Sequence, residues 1–142
     1  SFLVAHILYV SAFYTMTQKH KGFVQQKPFW ILPFAALGVG VYAFLYPQLK
    51  ELAIPVLIYM LSIVSMSIFA LNLKGLIKPL FFKMIFIGSL LFIFSDTCIA
   101  INKFKLPFDL ARVVIMSSYM LAQFLIITTC TLYFSNSKSE KI

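Results

Sequence analysis

Five long apolar runs joined by short connections limit how this chain can fold. They cover residues 2–16, 29–46, 53–73, 80–101 and 110–134. A helix needs about 20 mostly apolar residues to cross the hydrocarbon core of a bilayer, and each run approaches or meets that length. The sequence therefore predicts an all-α, polytopic transmembrane helix bundle with five spanning helices, in a single membrane domain that covers residues 1–142.

The composition agrees with a bilayer as the solvent. Hydrophobic residues make up 61% of the chain and charged residues 11%, whereas soluble domains are about half apolar and a quarter charged. We therefore expect an integral, multi-pass membrane protein, located in the inner or plasma membrane if the chain is bacterial.

The net charge of +8 comes mainly from lysines in the short connections, where membrane proteins carry their topological signal. This placement favours phospholipid head groups over nucleic acid as the partner. Two connections and the tail carry eight basic residues: Lys19, Lys21, Lys27, Lys74, Lys78, Lys83, Lys138 and Lys141. The opposite side carries four: Lys50, Lys103, Lys105 and Arg112. Because basic residues concentrate on the cytoplasmic side, we expect the C-terminus in the cytoplasm.

Prolines and cysteines give further expectations. A proline lacks the amide hydrogen that a helix interior needs, so it is expected near a helix end. The boundary prolines are predicted to be Pro28, Pro47, Pro79 and Pro107. The cysteines, Cys98 and Cys130, lie inside apolar runs without a CxxC pair or a histidine at ligand spacing. This pattern predicts neither a disulfide nor a zinc site, and no cofactor is expected.

Asp96 is the one acidic residue that lies clearly inside an apolar run. An aspartate at the centre of a membrane helix costs about 2.5 to 3.5 kcal/mol on insertion scales, so it is by default a candidate functional group. Two structural alternatives stay open. The carboxyl could pair with Lys103 or Arg112, or it could be a protonated acid that only holds helices together.

Polar residues form stripes near the ends of three runs. Residues seven apart on a helix return to within about 20° of the same face. One stripe is Ser89, Asp96 and Lys103, another is Arg112, Tyr119 and Gln123, and His6 and Tyr9 are neighbours at three-residue spacing. Because polar groups in lipid are driven inward, we expect these stripes to line one polar cavity. As alternatives, His6 could be a histidine at the membrane interface, Lys103 and Arg112 could extend toward the lipid head groups, and Gln123 could join helices by hydrogen bonds.

The stretch "FIFSDTCIAINKF", followed by "ARVVIMSSYMLAQFLI", resembles the YhhN-like lysoplasmalogenase family. The opening "AHILYVSAFY" is also similar, although Ala5 stands where the family has glycine. The resemblance depends mainly on these residues: Ser95, Asp96, Asn102, Lys103, Phe104, Tyr119 and Gln123. It covers both ends of the chain and leaves residues 29–80 as unspecific apolar helix.

The resemblance implies a membrane enzyme of about eight helices that cleaves the vinyl ether bond of lysoplasmalogens. The products are a fatty aldehyde and glycerophospho-ethanolamine or -choline, and the substrate partner is a lysophospholipid. The implied catalytic residues are Asp96, Tyr119 and His6, and the implied substrate-binding residues are Lys103, Arg112, Asn102 and Gln123. The family also has a glycine-aspartate motif with a second acid, which this chain does not match. We therefore expect the chain to be the last five helices of a longer protein.

The implied chemistry suits these residue types. Protonation of the alkene gives an oxocarbenium ion, which water traps as a hemiacetal that collapses to aldehyde and alcohol. Glycoside hydrolysis uses paired carboxyls in a similar way. Burial favours the protonated form of a carboxyl, whereas a neighbouring cation favours the carboxylate. Asp96 is therefore either the acid or the group that stabilises the cation, and the basic residues are assigned to the lipid phosphate.

Two other functions remain possible from the sequence. A membrane acid near histidine and tyrosine is also how proton paths are built, so a proton-coupled transporter is the main alternative. Transporters commonly have glycine-broken helices in pairs, and only "LGVGV" at residues 37–41 hints at one. A structural membrane subunit is the other alternative.

Overall fold

The computed structural model describes residues 2–17 and 20–140. Those residues form six α-helices and two short 3₁₀ helices, without a β-strand. The α-helices are α1 (Phe2–Met16), α2 (Phe23–Gln26), α3 (Leu32–Leu49), α4 (Ala53–Asn72), α5 (Pro79–Phe104) and α6 (Ala111–Ser139). The 3₁₀ helices are Pro28–Ile31 and Lys50–Leu52. The predicted all-α membrane bundle is confirmed.

Three helical stretches in the described part of the chain are long and apolar enough to cross a membrane: Pro28–Asn72, Pro79–Phe104 and Ala111–Ser139. The first has 45 residues, which as one straight helix would measure about 68 Å against a hydrocarbon core of about 30 Å. Instead, the chain reverses direction at Lys50, whose backbone has φ 48° and ψ −120°. The reversal packs α3 against α4. α1 is a shorter apolar helix.

The predicted helix boundary at Pro47 is wrong, because α3 continues through it to Leu49. The fixed φ of proline is itself compatible with a helix, so Pro47 removes the one hydrogen bond to the carbonyl four residues earlier without reversing the chain, and α3 ends two residues later. The carbonyl of Phe44 in the same turn accepts a hydrogen bond from Lys105 Nζ at 3.3 Å. The other three boundary prolines lie at helix starts or in a connection.

The bundle is held by an apolar core and close helix contacts. Phe13, Met66, Phe92 and Ile126 are fully or almost fully buried in one cluster that joins α1, α4, α5 and α6. Gly88 lets α5 approach α6, since a Cβ atom there would lie 2.7 Å from Ile126 Cγ1. Small residues allow such close approach between membrane helices.

The outer surface of the helices is also apolar. Side chains such as Leu8, Ile54 and Phe124 are 62%, 70% and 64% exposed. A soluble monomer rarely shows contiguous apolar surface on this scale, whereas a bilayer requires it. The fold and the surface together identify an integral membrane protein.

Candidate active site

Asp96 lies where α5 meets α1 and α4. Its carboxyl is buried, and Tyr59 on α4 donates a hydrogen bond from its hydroxyl to Asp96 Oδ1 at 3.2 Å. His6 on α1 places Nε2 3.9 Å from Asp96 Oδ2. That separation is too long for a hydrogen bond but suits an ion pair when the imidazole is protonated. Three helices thus supply a carboxyl, a phenol and an imidazole to one point.

The partners of Asp96 bear on one of the two structural alternatives raised by the sequence. Within the described residues, Asp96 forms no ion pair with Lys103 or Arg112, and its Oδ2 atom accepts no hydrogen bond. A carboxyl kept only to pair with one of these cations would have that cation beside it. The group facing Oδ2 is instead the imidazole of His6, and a protonated carboxyl that holds helices together remains the other alternative.

A second polar cluster joins α1 to α6. Tyr9 donates a hydrogen bond from its hydroxyl to Gln123 Oε1, and Gln123 Nε2 donates one to the Tyr119 hydroxyl at 2.9 Å. These bonds satisfy polar groups that would otherwise be costly in lipid. Gln123 therefore bridges helices, and its contact with substrate stays a prediction.

The two clusters adjoin through Phe92. The centre of its ring lies 5.4 Å from that of His6, 6.0 Å from that of Tyr9 and 5.4 Å from that of Tyr119. The imidazole also meets the ring of Tyr59 edge-on, with centres 5.5 Å apart. The structure therefore brings close together five of the residues predicted to line one polar cavity: His6, Tyr9, Asp96, Tyr119 and Gln123. Of these five, only Asp96 lines the cavity described below, so the predicted lining is not observed as such.

Three predicted substrate-binding residues lie farther out. Lys103 is exposed and lines the same cavity as Asp96. Arg112 is exposed in the first turn of α6 and does not line that cavity. Asn102 accepts a hydrogen bond at Oδ1 from the backbone amide of Phe108 at 3.2 Å, which shapes the connection between α5 and α6. Their roles toward a substrate stay predictions.

The cavity beside Asp96 is largely apolar. It has a volume of about 280 Å³ and lies between α3, α4 and α5. Asp96 and Tyr59 form part of its wall, and Lys103 and Phe104 lie at the α5 end of it. Leu37 and Leu52, which also line it, are 43% and 44% exposed, so the cavity adjoins the lipid-facing surface.

The polar clusters lie at one characteristic depth. Asp96 is eight residues before the end of α5, and Tyr119 is eight residues after the start of α6. Eight helical residues span about 12 Å, and a helix of 26 residues exceeds the hydrocarbon core by about 4 to 5 Å at each end. For α5 centred in the hydrocarbon core and perpendicular to its plane, the carboxyl would lie about 7 to 8 Å inside the hydrocarbon edge. At about 1.2 Å per bond, this is the level of about the sixth carbon of an extended lipid chain.

Tyr59 is the site residue that the sequence did not single out. It is the one tyrosine in residues 53–73, and tyrosines are common at membrane interfaces as simple anchors. Nothing in the local sequence distinguishes Tyr59 from such an anchor, because its partner Asp96 is 37 positions away in the chain. A single phenol several residues inside an aliphatic run was the only available signal.

Among the residues that the structure describes, no three histidine, cysteine or carboxylate side chains form a group that could hold a metal ion. Acid–base chemistry by side chains is what the arrangement supports directly.

Comparison with protein families identifies the family of the chain. The model of the YhhN family matches residues 1–130, which include every site residue described above. The match confirms the resemblance inferred from the sequence. No solved structure matches the chain.

Proposed function

We propose a function from a premise that the family match establishes: the chain belongs to the YhhN family. The proposed reaction is hydrolysis of the vinyl ether bond of lysoplasmalogens to a fatty aldehyde and a glycerophospho-ethanolamine or -choline. The observation that carries the proposal is Asp96, a buried carboxyl on the wall of an apolar cavity that has Lys103 at one end.

The depth of Asp96 sets how far the substrate must enter the bundle. The vinyl ether joins the fatty chain to the glycerol, so it lies just below the head groups when the lipid is in a membrane. For a centred, untilted α5, the carboxyl would lie about 7 to 8 Å inside the hydrocarbon edge. The lysolipid therefore has to enter the cavity by about that distance for its ether bond to reach the acid, with Lys103 at the surface end of the cavity to meet its phosphate.

We assign Asp96 the role of general acid. Its proton is added to the alkene carbon that is remote from the ether oxygen, and the electrons of the double bond form the new C–H bond. The oxygen then shares the positive charge as an oxocarbenium ion, which the aspartate left behind stabilises. Burial and the absence of an ion-paired lysine or arginine among the described residues favour the protonated carboxyl that this step requires.

Water completes the reaction. It adds to the carbon bonded to the ether oxygen and loses a proton to the Asp96 carboxylate, which gives a hemiacetal and restores the acid. The hemiacetal then breaks its bond to the glycerol oxygen; its hydroxyl group loses a proton and the glycerol oxygen gains one, which releases the aldehyde and the alcohol. His6, with Nε2 3.9 Å from Asp96 Oδ2, is placed to accept a proton from the carboxyl and return one to it.

Tyr59 and the second cluster position these groups. The Tyr59 hydroxyl fixes one carboxyl oxygen and leaves the other for the substrate. Tyr119 acts through Phe92, whose ring lies 5.4 Å, centre to centre, from the ring of Tyr119 and 5.4 Å from that of His6 and so helps to set the position of the imidazole. A direct catalytic role for Tyr119 stays a prediction.

Lys103 is assigned to the lipid phosphate. About five bonds separate the ether oxygen from the phosphorus, a span of about 6 Å when extended. Lys103 is seven residues from Asp96, or about 10 Å along the helix. Its flexible four-carbon stem can cover the difference, and its ammonium group can neutralise the phosphate.

The transporter alternative is less well supported. The glycine-rich stretch that suggested a broken helix lies inside α3, which is continuous from Leu32 to Leu49. Gly40 in that helix has open space around it. The described helices therefore lack the discontinuous pair on which that alternative depended.

The test compares Asp96→Asn with Asp109→Asn in the full-length protein. Asparagine keeps the shape of the side chain but supplies no acidic proton, so Asp96→Asn should lower aldehyde release from lysoplasmenylethanolamine about a hundredfold to ten-thousandfold. Asp109 is an exposed acid in the α5–α6 connection, and its variant should stay within a few fold of the wild type.

Thermal unfolding of both variants shows whether the fold is kept. An Asp96→Asn protein with wild-type turnover would remove Asp96 from the mechanism. Loss of folding together with activity would favour a structural role for the carboxyl.

A further inference from the structure

A second cavity continues the first along α5. It has a volume of about 620 Å³ and lies between α3 and α5, with Phe82 and Trp30 at the end remote from Asp96. The two cavities share three lining residues: Leu37, Ile93 and Thr97. We call the two together the α3–α5 groove.

We infer that the α3–α5 groove holds the alkenyl chain of the substrate, so that an obstruction in its lining would limit the chain lengths that the enzyme accepts. This inference rests on the proposed function. The groove begins at the acid and at Lys103, which fixes the head-group end. Beyond Asp96 its lining is apolar except for Thr97 and, at the far end, Lys74. A single hydrocarbon chain attached to a phosphate is the ligand with that order of groups.

The length of the groove fits one chain. Asp96 and Phe82 are fourteen residues apart on α5, which corresponds to about 21 Å. An extended backbone advances about 3.5 Å over three bonds, or about 1.2 Å per bond. The groove therefore takes a chain of about seventeen bonds between the acid and the aromatic end formed by Phe34, Phe82 and Phe86.

The energetics predict a particular kind of selectivity. A chain that enters the groove leaves lipid rather than water, and lipid tails are as apolar as the groove lining. Each additional methylene therefore adds little binding free energy, and the wild type should cleave substrates with short and long chains about equally well. Discrimination should appear when the groove is obstructed.

The test places tryptophan at three positions. Leu90→Trp obstructs the second cavity about 9 Å along the helix from Asp96. It should lower kcat/KM for an octadecenyl substrate at least about tenfold and leave an octenyl substrate unchanged. Leu37→Trp, at the shared segment, should lower both. Val39→Trp is the control, because Val39 is 69% exposed and lines neither cavity.

A second readout does not depend on activity. Alkyl ether lysolipids lack the vinyl bond and so persist, and a diazirine at the chain end marks what it touches. The octadecyl probe should label the Phe82–Phe86 region in the wild type and in Val39→Trp, but not in Leu90→Trp. The end of the octyl probe lies about 7 to 10 Å from the acid, so this probe should label near Leu90 in the wild type.

The experiments distinguish failure of the groove from failure of the proposed function. Equal loss for both chain lengths in Leu90→Trp, or labelling of outward residues such as Phe124 in every protein, would overturn the groove. A protein that cleaves no vinyl ether yet gives the expected labelling pattern would contradict the proposed function while supporting the groove.

Discussion

At the scale of single residues, the site depends on how the helices accommodate the carboxyl of Asp96, which is unfavourable inside a membrane. Asp96 has Tyr59 as its hydrogen-bond donor and His6 as its neighbour. Neither is a permanent cation, so the carboxyl can be protonated and deprotonated without leaving an unpaired lysine or arginine beside it. That is the property a general acid needs.

Removing the Tyr59 hydroxyl tests this arrangement. Tyr59→Phe should lower turnover about tenfold, since a hydrogen bond to a charged group contributes about 1.5 kcal/mol or more. Tyr42→Phe is a matched control, because Tyr42 donates to the carbonyl of Ala53 at 3.1 Å and lies in neither polar cluster. Aldehyde release should fall in the first variant only, and equal rates in both would show that the phenol does not position the acid.

The sequence anticipated the site unevenly, for reasons that lie at this scale. Asp96 stood out because a charge in an apolar run is rare, and helical spacing related Tyr119 to Gln123. Tyr59 was missed because its contact with Asp96 depends on how α4 packs on α5, which residue spacing within one helix does not encode. The expected grouping of Arg112 with Asp96 failed to appear in the cavity lining, since Arg112 is exposed in the first turn of α6.

At the scale of helices, length and apolar character predicted the elements well. The five long helices correspond to the five apolar runs, with ends that differ by a few residues. Pro47 is the informative exception, because the φ of proline is compatible with a helix and the chain continues in helical geometry for two residues beyond it. Helix contacts depend on side-chain fit and were not predictable from the runs.

The contact between α5 and α6 gives a stability prediction. A Cβ atom at Gly88 would lie 2.7 Å from Ile126 Cγ1 and 3.3 Å from the carbonyl oxygen of Ala122, whereas one at Gly40 would meet nothing within 4 Å. Gly88→Ala should therefore reduce the free energy of unfolding by about 1 to 3 kcal/mol.

Gly40→Ala is the control and should leave stability unchanged or raise it by up to about 1 kcal/mol. Thermal unfolding in the same detergent compares the two variants. Equal melting temperatures would mean that α5 and α6 do not pack as closely as the glycine implies.

At the scale of the whole molecule, the described helices place the site near one end of the bundle. Lys103 and Lys105 lie at that end of α5, whereas Lys78 and Lys138 lie at the opposite ends of α5 and α6. Two basic residues used in the orientation argument, Lys19 and Lys141, lie outside the described residues. The cytoplasmic location of the C-terminus stays a prediction.

The depth of the site, the lysine at its surface end and the groove along α5 all fit one lipid chain held beside one acid. The central claim is that this acid adds a proton to the alkene carbon of a vinyl ether. That step leaves a mark in the product, because the added hydrogen comes from solvent through the carboxyl and becomes part of a stable C–H bond.

The most direct measurement is therefore hydrolysis of a lysoplasmalogen by the full-length protein in D₂O, with immediate reduction of the aldehyde and mass analysis of the alcohol. The account predicts an unshortened chain with one deuterium on the carbon next to the former carbonyl. An aldehyde without that deuterium, or one shortened by a carbon as oxidative cleavage would give, would contradict it.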